Sequence, residues 1–382
     1  YSRARMWYNK RRKFSVVFMG SEVRNMHVLV EASYMNSHWC SHYLRGITAQ
    51  AKRKNMPVSV HTTTEFLDDP SFNDTHVIVL GSSLTWASRS MNLLYSRDVR
   101  PIVLAVANYQ KQFPFASFIT MDYDDATRKL MKFLHAGGRT RTAFFSGNTK
   151  SSTDMQKVAN YLQEGGREQD IFHFEGTLRE TTDRLLARID EFDSVLCAND
   201  VSAVVLMKRL ESLGFNLPDD MHIVSFGDTV LANLEIHNIA VAKVKSVEAG
   251  KLAISAYRLL KSNPSISSAS MLLHCDIYDY HYDPVDIKLE HTRMLFDRHV
   301  GANFFRDPDV ERVLLVEKLL SGCDKLDIQI LREVISKESY SKIAAKLFIA
   351  ENTISYRIKK ILAGAPGKSK EEIFDLLSEF LF

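Results

Sequence analysis

The chain has 382 residues, 45% of them hydrophobic and 25% charged, with only 16 Gly and 9 Pro. That composition excludes a disordered or fibrous protein and leaves room for two or more domains, each with its own core. A net charge of +3 excludes a surface coated in basic charge, although not a local basic patch.

Charge is segregated along the chain. Residues 1–13 carry Arg3, Arg5, Lys10, Arg11, Arg12 and Lys13 and no acid, a balance of +6. Residues 340–370 are again +6, residues 371–382 are −4, and the long middle is left at −5. The basic parts are thus short and terminal. The arm 1–13 is open to several readings: a linker, a disordered segment touching DNA, or neither. Cys40, Cys197, Cys275 and Cys323 are scattered, with no C-x-x-C pair and no histidine nearby at metal-ligand spacing. No metal and no cofactor are expected, and a reducing compartment is. No apolar run reaches the roughly eighteen residues of a membrane helix, and the basic arm has no apolar stretch behind it. The expectation is a cytoplasmic protein without a membrane partner.

From residue 14 onward, short β-branched or aromatic runs alternate with stretches at helical spacing. The spacing predicts strands at 14–19, 57–61, 76–80, 102–106, 117–121, 142–146, 171–174, 194–198, 222–226, 240–244 and 271–275. Helices are predicted near 38–54, 85–97, 124–137, 153–164, 178–189, 201–213 and 247–262. Such alternation implies parallel sheets covered on both faces. Eleven strands exceed one comfortable sheet, so 14–283 is read as two doubly wound α/β lobes. Ligands of such lobes bind where loops leave the carboxyl ends of strands. Those loops are Gly81-Ser82-Ser83, Ser146-Gly147-Asn148, Asn199-Asp200 and Gly227-Asp228-Thr229. None is a G-x-G-x-x-G or Walker loop, so nucleotide binding has no support. The same Ser, Asn and Asp residues also suit helix caps.

Ser194-Val-Leu-Cys-Ala-Asn-Asp200, continued by Leu-Gly-Phe-Asn-Leu-Pro-Asp-Asp-Met-His-Ile-Val-Ser-Phe-Gly-Asp-Thr over 213–229, resembles the effector-binding domain of lactose-repressor-type regulators. Leu44-Arg45-Gly46-Ile47 and Met121-Asp122-Tyr123 agree with it. The resemblance implies a periplasmic-binding-protein type I fold: two lobes, three crossovers, and a cleft that closes on a small molecule. It assigns effector contacts to Trp39, as a stacking aromatic, and to Asp122, Asn199 and Asp228 in the loop at Gly227-Asp228; Ser82 and Asp200, in the loops at strand ends, complete the candidate effector-binding set. An aromatic face plus planar hydrogen-bonding groups suits a sugar-like or other small molecule. The chain departs from the pattern at Ser37-His38-Trp39, at Gln156 where many relatives have arginine, at Ala159, and at Gly227 where an acid is usual. Those exchanges remove much of what recognises sugar hydroxyls.

Residues 284–320 read as a linker, irregular at first and then an amphipathic helix through Val310, Val313, Leu314, Val316, Leu319 and Leu320. That helix suits pairing across a dimer axis or packing on the effector domain. Residues 321–382 read as a small all-α domain. A helix through Leu326, Ile330, Leu331, Val334 and Ile335 precedes a second at 341–347, a turn at Phe348-Ile349-Ala350, and a third from Glu351 to Leu362. Ile354 and Ile358 close a small core, which leaves Glu351, Asn352, Ser355, Tyr356 and Lys359 on the outer face, where a recognition helix meets base edges. Lys342, Lys346, Arg357 and Lys360 flank them and suit phosphates. The segment 340–361 resembles the C-terminal helix-turn-helix of LuxR-type regulators, with Ala350 where a capping serine is usual. Ser369 and Glu372 then form a capping-box pattern for a last helix.

The expected function is a ligand-responsive, DNA-binding transcription regulator, a homodimer reading two operator half-sites. The alternative is a solute-binding or sensor protein that signals through a partner protein rather than DNA. Histidines such as His27, His38, His42 and His281 are dispersed, and no catalytic triad or paired carboxylates can be assembled, so an enzyme is not expected.

Overall fold

The computed structural model describes residues 25–35, 37–232, 234, 237, 239–278 and 303–382. The basic arm, the predicted strand 14–19, His281 and most of the irregular part of the linker lie outside them.

Lobe 1 opens with β1 (Met26–Val30), α1 (His38–Arg53), β2 (Val58–His61), β3 (His76–Leu80), α2 (Leu84–Ser96), β4 (Arg100–Leu104) and β5 (Ser117–Met121). Lobe 2 follows with α3 (Tyr123–Ala136), β6 (Thr142–Gly147), α4 (Ser152–Gln163), β7 (Ile171–His173), α5 (Leu178–Leu186), β8 (Ser194–Cys197), α6 (Asp200–Ser212), β9 (His222–Gly227) and β10 (Ile239–Lys243). The chain then returns to lobe 1 for α7 (Ser246–Ser262) and β11 (Met271–Leu273), and crosses again for β12 (Asp276–Tyr278). Two six-stranded sheets result, in the orders β11-β5-β4-β3-β1-β2 and β12-β10-β9-β8-β6-β7. All pairings are parallel except β12 on β10. The three passages between lobes are those the resemblance implies.

Strands such as β3, β5, β6, β8 and β9 are buried at every residue, because helices cover both faces of each sheet. Side chains at strand ends start the helices: Ser83, Asp122, Ser151 and Asn199 each accept from a backbone N–H three residues on, satisfying donors that a first turn leaves free. In lobe 1, α1 and α7 cross almost backbone to backbone. A Cβ at Gly46 would fall 2.0 Å from the Val247 carbonyl oxygen, and one at Gly250 would fall 2.2 Å from that of Tyr43.

The C-terminal part comprises α8 (Pro308–Leu320), α9 (Lys325–Ile335), α10 (Tyr340–Leu347), α11 (Glu351–Leu362) and α12 (Lys370–Leu381). Its core of Ile330, Leu331, Ile343, Ile354, Ile358, Ile373 and Leu377 runs without a break through Val310, Val313 and Val316 of α8 into Val201, Val204 and Leu206–Met207 of α6. The predicted linker helix therefore packs on lobe 2. Polar ties reinforce it: Asp307 accepts from Leu178 N at 2.6 Å, Glu317 accepts from Val230 N and Leu231 N at 2.9 Å each, and His237 Nε2 lies 2.8 Å from the Phe380 carbonyl oxygen. Among the described residues no helix is long and apolar enough to cross a membrane, and all four cysteines are free thiols.

Candidate functional sites: an interlobe cleft and an exposed helix

Between the lobes lies a cavity of about 820 Å³. Lobe 1 lines it with Glu31, Tyr34, Trp39, Tyr43, Ser82 and Tyr109, and lobe 2 with Tyr123, Asn148, Asp154, Lys157, Asn199 and Phe226. Size and lining match a small-molecule site: several aromatic faces and a few fixed polar groups. Glu31 accepts from the backbone N–H of Ser82 and Ser83 at 2.8 and 3.1 Å and so fixes that loop. The Ser82 carbonyl in turn accepts from Ser152 N at 3.0 Å and Ser152 Oγ at 3.1 Å, which joins the lobes directly at the rim.

The buried charges of the cleft, Glu31, Asp154 and Lys157, are internally satisfied, and the exposed Lys150 stands at its edge. Lys157 Nζ donates to Asp154 at 3.2 Å and to the Ala198 carbonyl at 2.7 Å, and lies over the Tyr123 and Phe226 rings at 4.8 and 5.0 Å. Burial raises the Asp154 carboxyl against the opposing pull of Lys157. Burial also raises the Tyr34, Tyr43 and Tyr123 hydroxyls, so all three present neutral O–H groups. A neutral, hydroxylated ligand with a flat face fits such a lining better than an anion does.

Three of the six residues assigned to the effector, Trp39, Ser82 and Asn199, line this cavity. The other three, Asp122, Asp200 and Asp228, are not among the residues lining it. Asp122 spends its side chain capping α3. Asp200 is fully buried and accepts from Thr229 N at 2.8 Å. Its carboxylate fills the space above Gly227, where a Cβ would lie 1.9 Å from Asp200 Cγ. The glycine that replaces the family's acid is thus matched by an acid contributed from α6. Asp228 turns to His42 Nδ1 at 2.9 Å, with His38 Nε2 at 3.9 Å. Gln156 reaches toward Asp124 on α3, at 3.5 Å, and is not among the cavity residues.

Sequence reasoning missed Phe304 and Phe305. A 3₁₀ turn at Asn303–Arg306, just before α8, carries both rings into the cavity. Phe305 lies 5.9 Å from Trp39 between ring centroids, and Phe304 lies 5.2 Å from Phe174. It missed equally that the two histidines one helical turn apart on α1 would meet Asp228.

In the C-terminal part, α10 and α11 are joined by the three-residue turn 348–350. Ile343, Ile354, Ile358 and Ile361 are buried, while Glu351, Asn352, Tyr356, Lys359 and Lys360 are exposed and Ser355 is half-buried. Phe348 occupies the turn in left-handed conformation, φ 54°, with 94% of its surface exposed, and Tyr356 is 70% exposed. The Ala350 position has no side-chain cap. Lys342 and Lys346 pair with Glu338 and Glu333 at the surface, where such pairs are worth little and exchange readily. Arg357 departs from its expected phosphate-facing place. It donates to Asp324 at 2.9 Å and to the buried Asp327 at 2.7 Å, and those two acids raise its guanidinium pKa. It serves the domain's own fold.

Residues 131–273 match the family described as periplasmic binding protein-like domain. Among curated proteins, the chain is 24% identical over 150 residues to the HTH-type transcriptional regulator GalR of Streptococcus thermophilus, covering 36% of this chain and 45% of that one. The chain spans about half the length of the curated relatives it matches. Among solved structures, the transcription regulator CcpA of Lactococcus lactis aligns with a TM-score of 0.56 at 18% identity, over 67% of this chain and 98% of that one. The lac repressor dimer bound to operator and the anti-inducer ONPF aligns with 0.56 at 17% identity, over 66% and 92%. The chain therefore carries a periplasmic-binding-protein-like domain with the two-lobed fold of LacI-type transcription regulators.

Proposed function

We propose that this protein is a ligand-responsive transcription regulator. Its interlobe cleft takes up a neutral hydroxylated small molecule, and α11 reads operator DNA through Glu351, Asn352, Ser355, Tyr356 and Lys359, with Lys342, Lys346 and Lys360 on phosphates. The observation that carries the reading is that the helix-turn-helix shares one continuous core with lobe 2 while α11 keeps its polar face exposed. A shift of the lobes then moves the reading head. Two copies would present two α11 helices to two half-sites of an operator, as a homodimer. The ligand can change operator affinity only by its differential affinity for the two lobe arrangements.

Selection of bound fragments from a randomised duplex pool by the full chain tests this. Enrichment of a two-fold symmetric site is the expected result. Absence of any enriched sequence, together with capture of a partner protein through the same face, would replace regulation of DNA by signalling through protein.

A further inference from the structure

Two buried polar atoms without a partner among the described residues, His38 Nε2 and Asp228 Oδ1, face each other where α1, the end of β9 and α8 meet. His38 and His42 stand one turn apart on α1, with ring centroids 3.9 Å apart. His42 Nδ1 meets Asp228 Oδ2 at 2.9 Å. Asp228 Oδ1 and His38 Nε2 face each other at 3.9 Å, too far for a hydrogen bond, and both atoms are buried without a partner among the described residues. Glu317 Oε1 also lies 3.9 Å from His38 Nε2. Buried polar atoms left apart in this way carry a free-energy cost that a bound ligand between them would remove.

We propose that His38, His42 and Asp228, with Glu317 as fourth donor, form a binding site for a divalent zinc-type metal ion. One donor atom from each of the first three residues lies within 4.8 Å of the others. Zinc holds imidazole nitrogen and carboxylate oxygen at about 2.0–2.2 Å in a tetrahedron, so side-chain rotations that draw the donors inward by about an ångström complete the shell. The donor set disfavours magnesium and calcium, which take oxygen and for which two imidazoles are poor ligands. Glu317 is already oriented, since each carboxylate oxygen accepts one backbone N–H, from Val230 and from Leu231. Such outer contacts aim ligands at a metal.

The ligands belong to lobe 1, lobe 2 and the helix that leads into the reading head. Metal occupancy therefore clamps the three together. This inference does not depend on DNA binding.

The test uses the full chain, dialysed against a chelator and then titrated with Zn²⁺ by calorimetry and with Co²⁺ by visible absorption. One ion per chain, a raised melting temperature and the intense d–d bands of four-coordinate Co²⁺ are expected, with no response to Mg²⁺ or Ca²⁺. His38→Gln and the near-isosteric Asp228→Asn should each weaken Zn²⁺ binding by at least about 10–100-fold, the range that outer-shell substitutions already cost. Should either variant fail to fold, the Co²⁺ spectrum of the unaltered chain decides. Weak octahedral bands, no stoichiometric uptake, or affinity unchanged in both folded variants would overturn the site.

Discussion

Phe305 packs against Trp39 with 5.9 Å between ring centroids, which places the first residues of the C-terminal part inside the cleft of the effector-binding part. A ligand stacking on Trp39 must meet or move that ring, so the contact is a direct mechanical route from cleft to α8. Trp39→Ala is expected to abolish the thermal stabilisation that a cognate ligand confers. Phe305→Ala is expected to keep ligand binding while weakening its effect on DNA affinity. Ligand binding by both is read by melting temperature across a panel of sugars, nucleosides and other neutral hydroxylated compounds, and the effect of Phe305→Ala by DNA anisotropy with and without the ligand. A full ligand shift in Trp39→Ala would remove the cleft assignment.

The α1–α7 crossing leaves no room for a methyl group. Gly46→Ala drives its Cβ into the Val247 carbonyl oxygen, and two packed helix backbones cannot yield as a flexible side chain would. A loss of about 3 kcal/mol or more is expected, at the upper end of overpacking costs. Denaturant unfolding of the variant checks it, with Ala51→Gly on the same helix as a control for helix propensity, expected near 1 kcal/mol plus any packing loss.

Arg357 separates fold from DNA contact. Arg357→Ala leaves Asp327 buried beside Asp324 without its cation, and a stability loss of roughly 1–3 kcal/mol is expected. The salt dependence of DNA binding, measured on the folded variant, should not change. A flatter salt slope would restore Arg357 to the phosphate contacts.

His237 gives the docking of α12 a pH signature. Burial pushes its imidazole down to about 4, although carbonyl oxygens of Leu231 and Phe380 face its two nitrogens and favour the charged ring. The unfolded chain takes up the proton near 6.5, before the folded one does. The contribution to stability is therefore complete above pH 6.5 and is lost as pH falls toward 4, by roughly 3 kcal/mol in all. Urea midpoints of the wild type and His237→Gln, compared from pH 7.5 to 4, should converge on the acid side.

Much of the fold was legible because parallel lobes repeat one pattern, and ten of the eleven predicted strands and all seven predicted effector-domain helices have counterparts among the described elements. The exception is β1: its five residues, Met26–Val30, are interrupted by the half-buried His27, and the run escaped notice beside the one at 14–19. The three-residue β12 is too short to carry a pattern. In the C-terminal part, buried isoleucines at helical spacing identified the exposed face of α11 from sequence alone. The junction cluster was less accessible. His38 and His42 show an i, i+4 spacing, but Asp228 is 186 residues beyond His42, and only the meeting of two lobes and α8 brings the acids to them. Phe304 and Phe305 were hidden for the same reason, as aromatic residues in an irregular stretch.

The most direct test of the account is fluorescence anisotropy of the full chain on duplex DNA carrying its selected site, across a range of salt. Log affinity should fall linearly with log salt by roughly 0.9 per phosphate contact. Asn352→Ala and Tyr356→Ala should each cost about 1–3 kcal/mol of discrimination between specific and random duplex. Absent binding at low salt, or binding that both α11 substitutions leave untouched, would contradict the assignment of DNA reading to this helix.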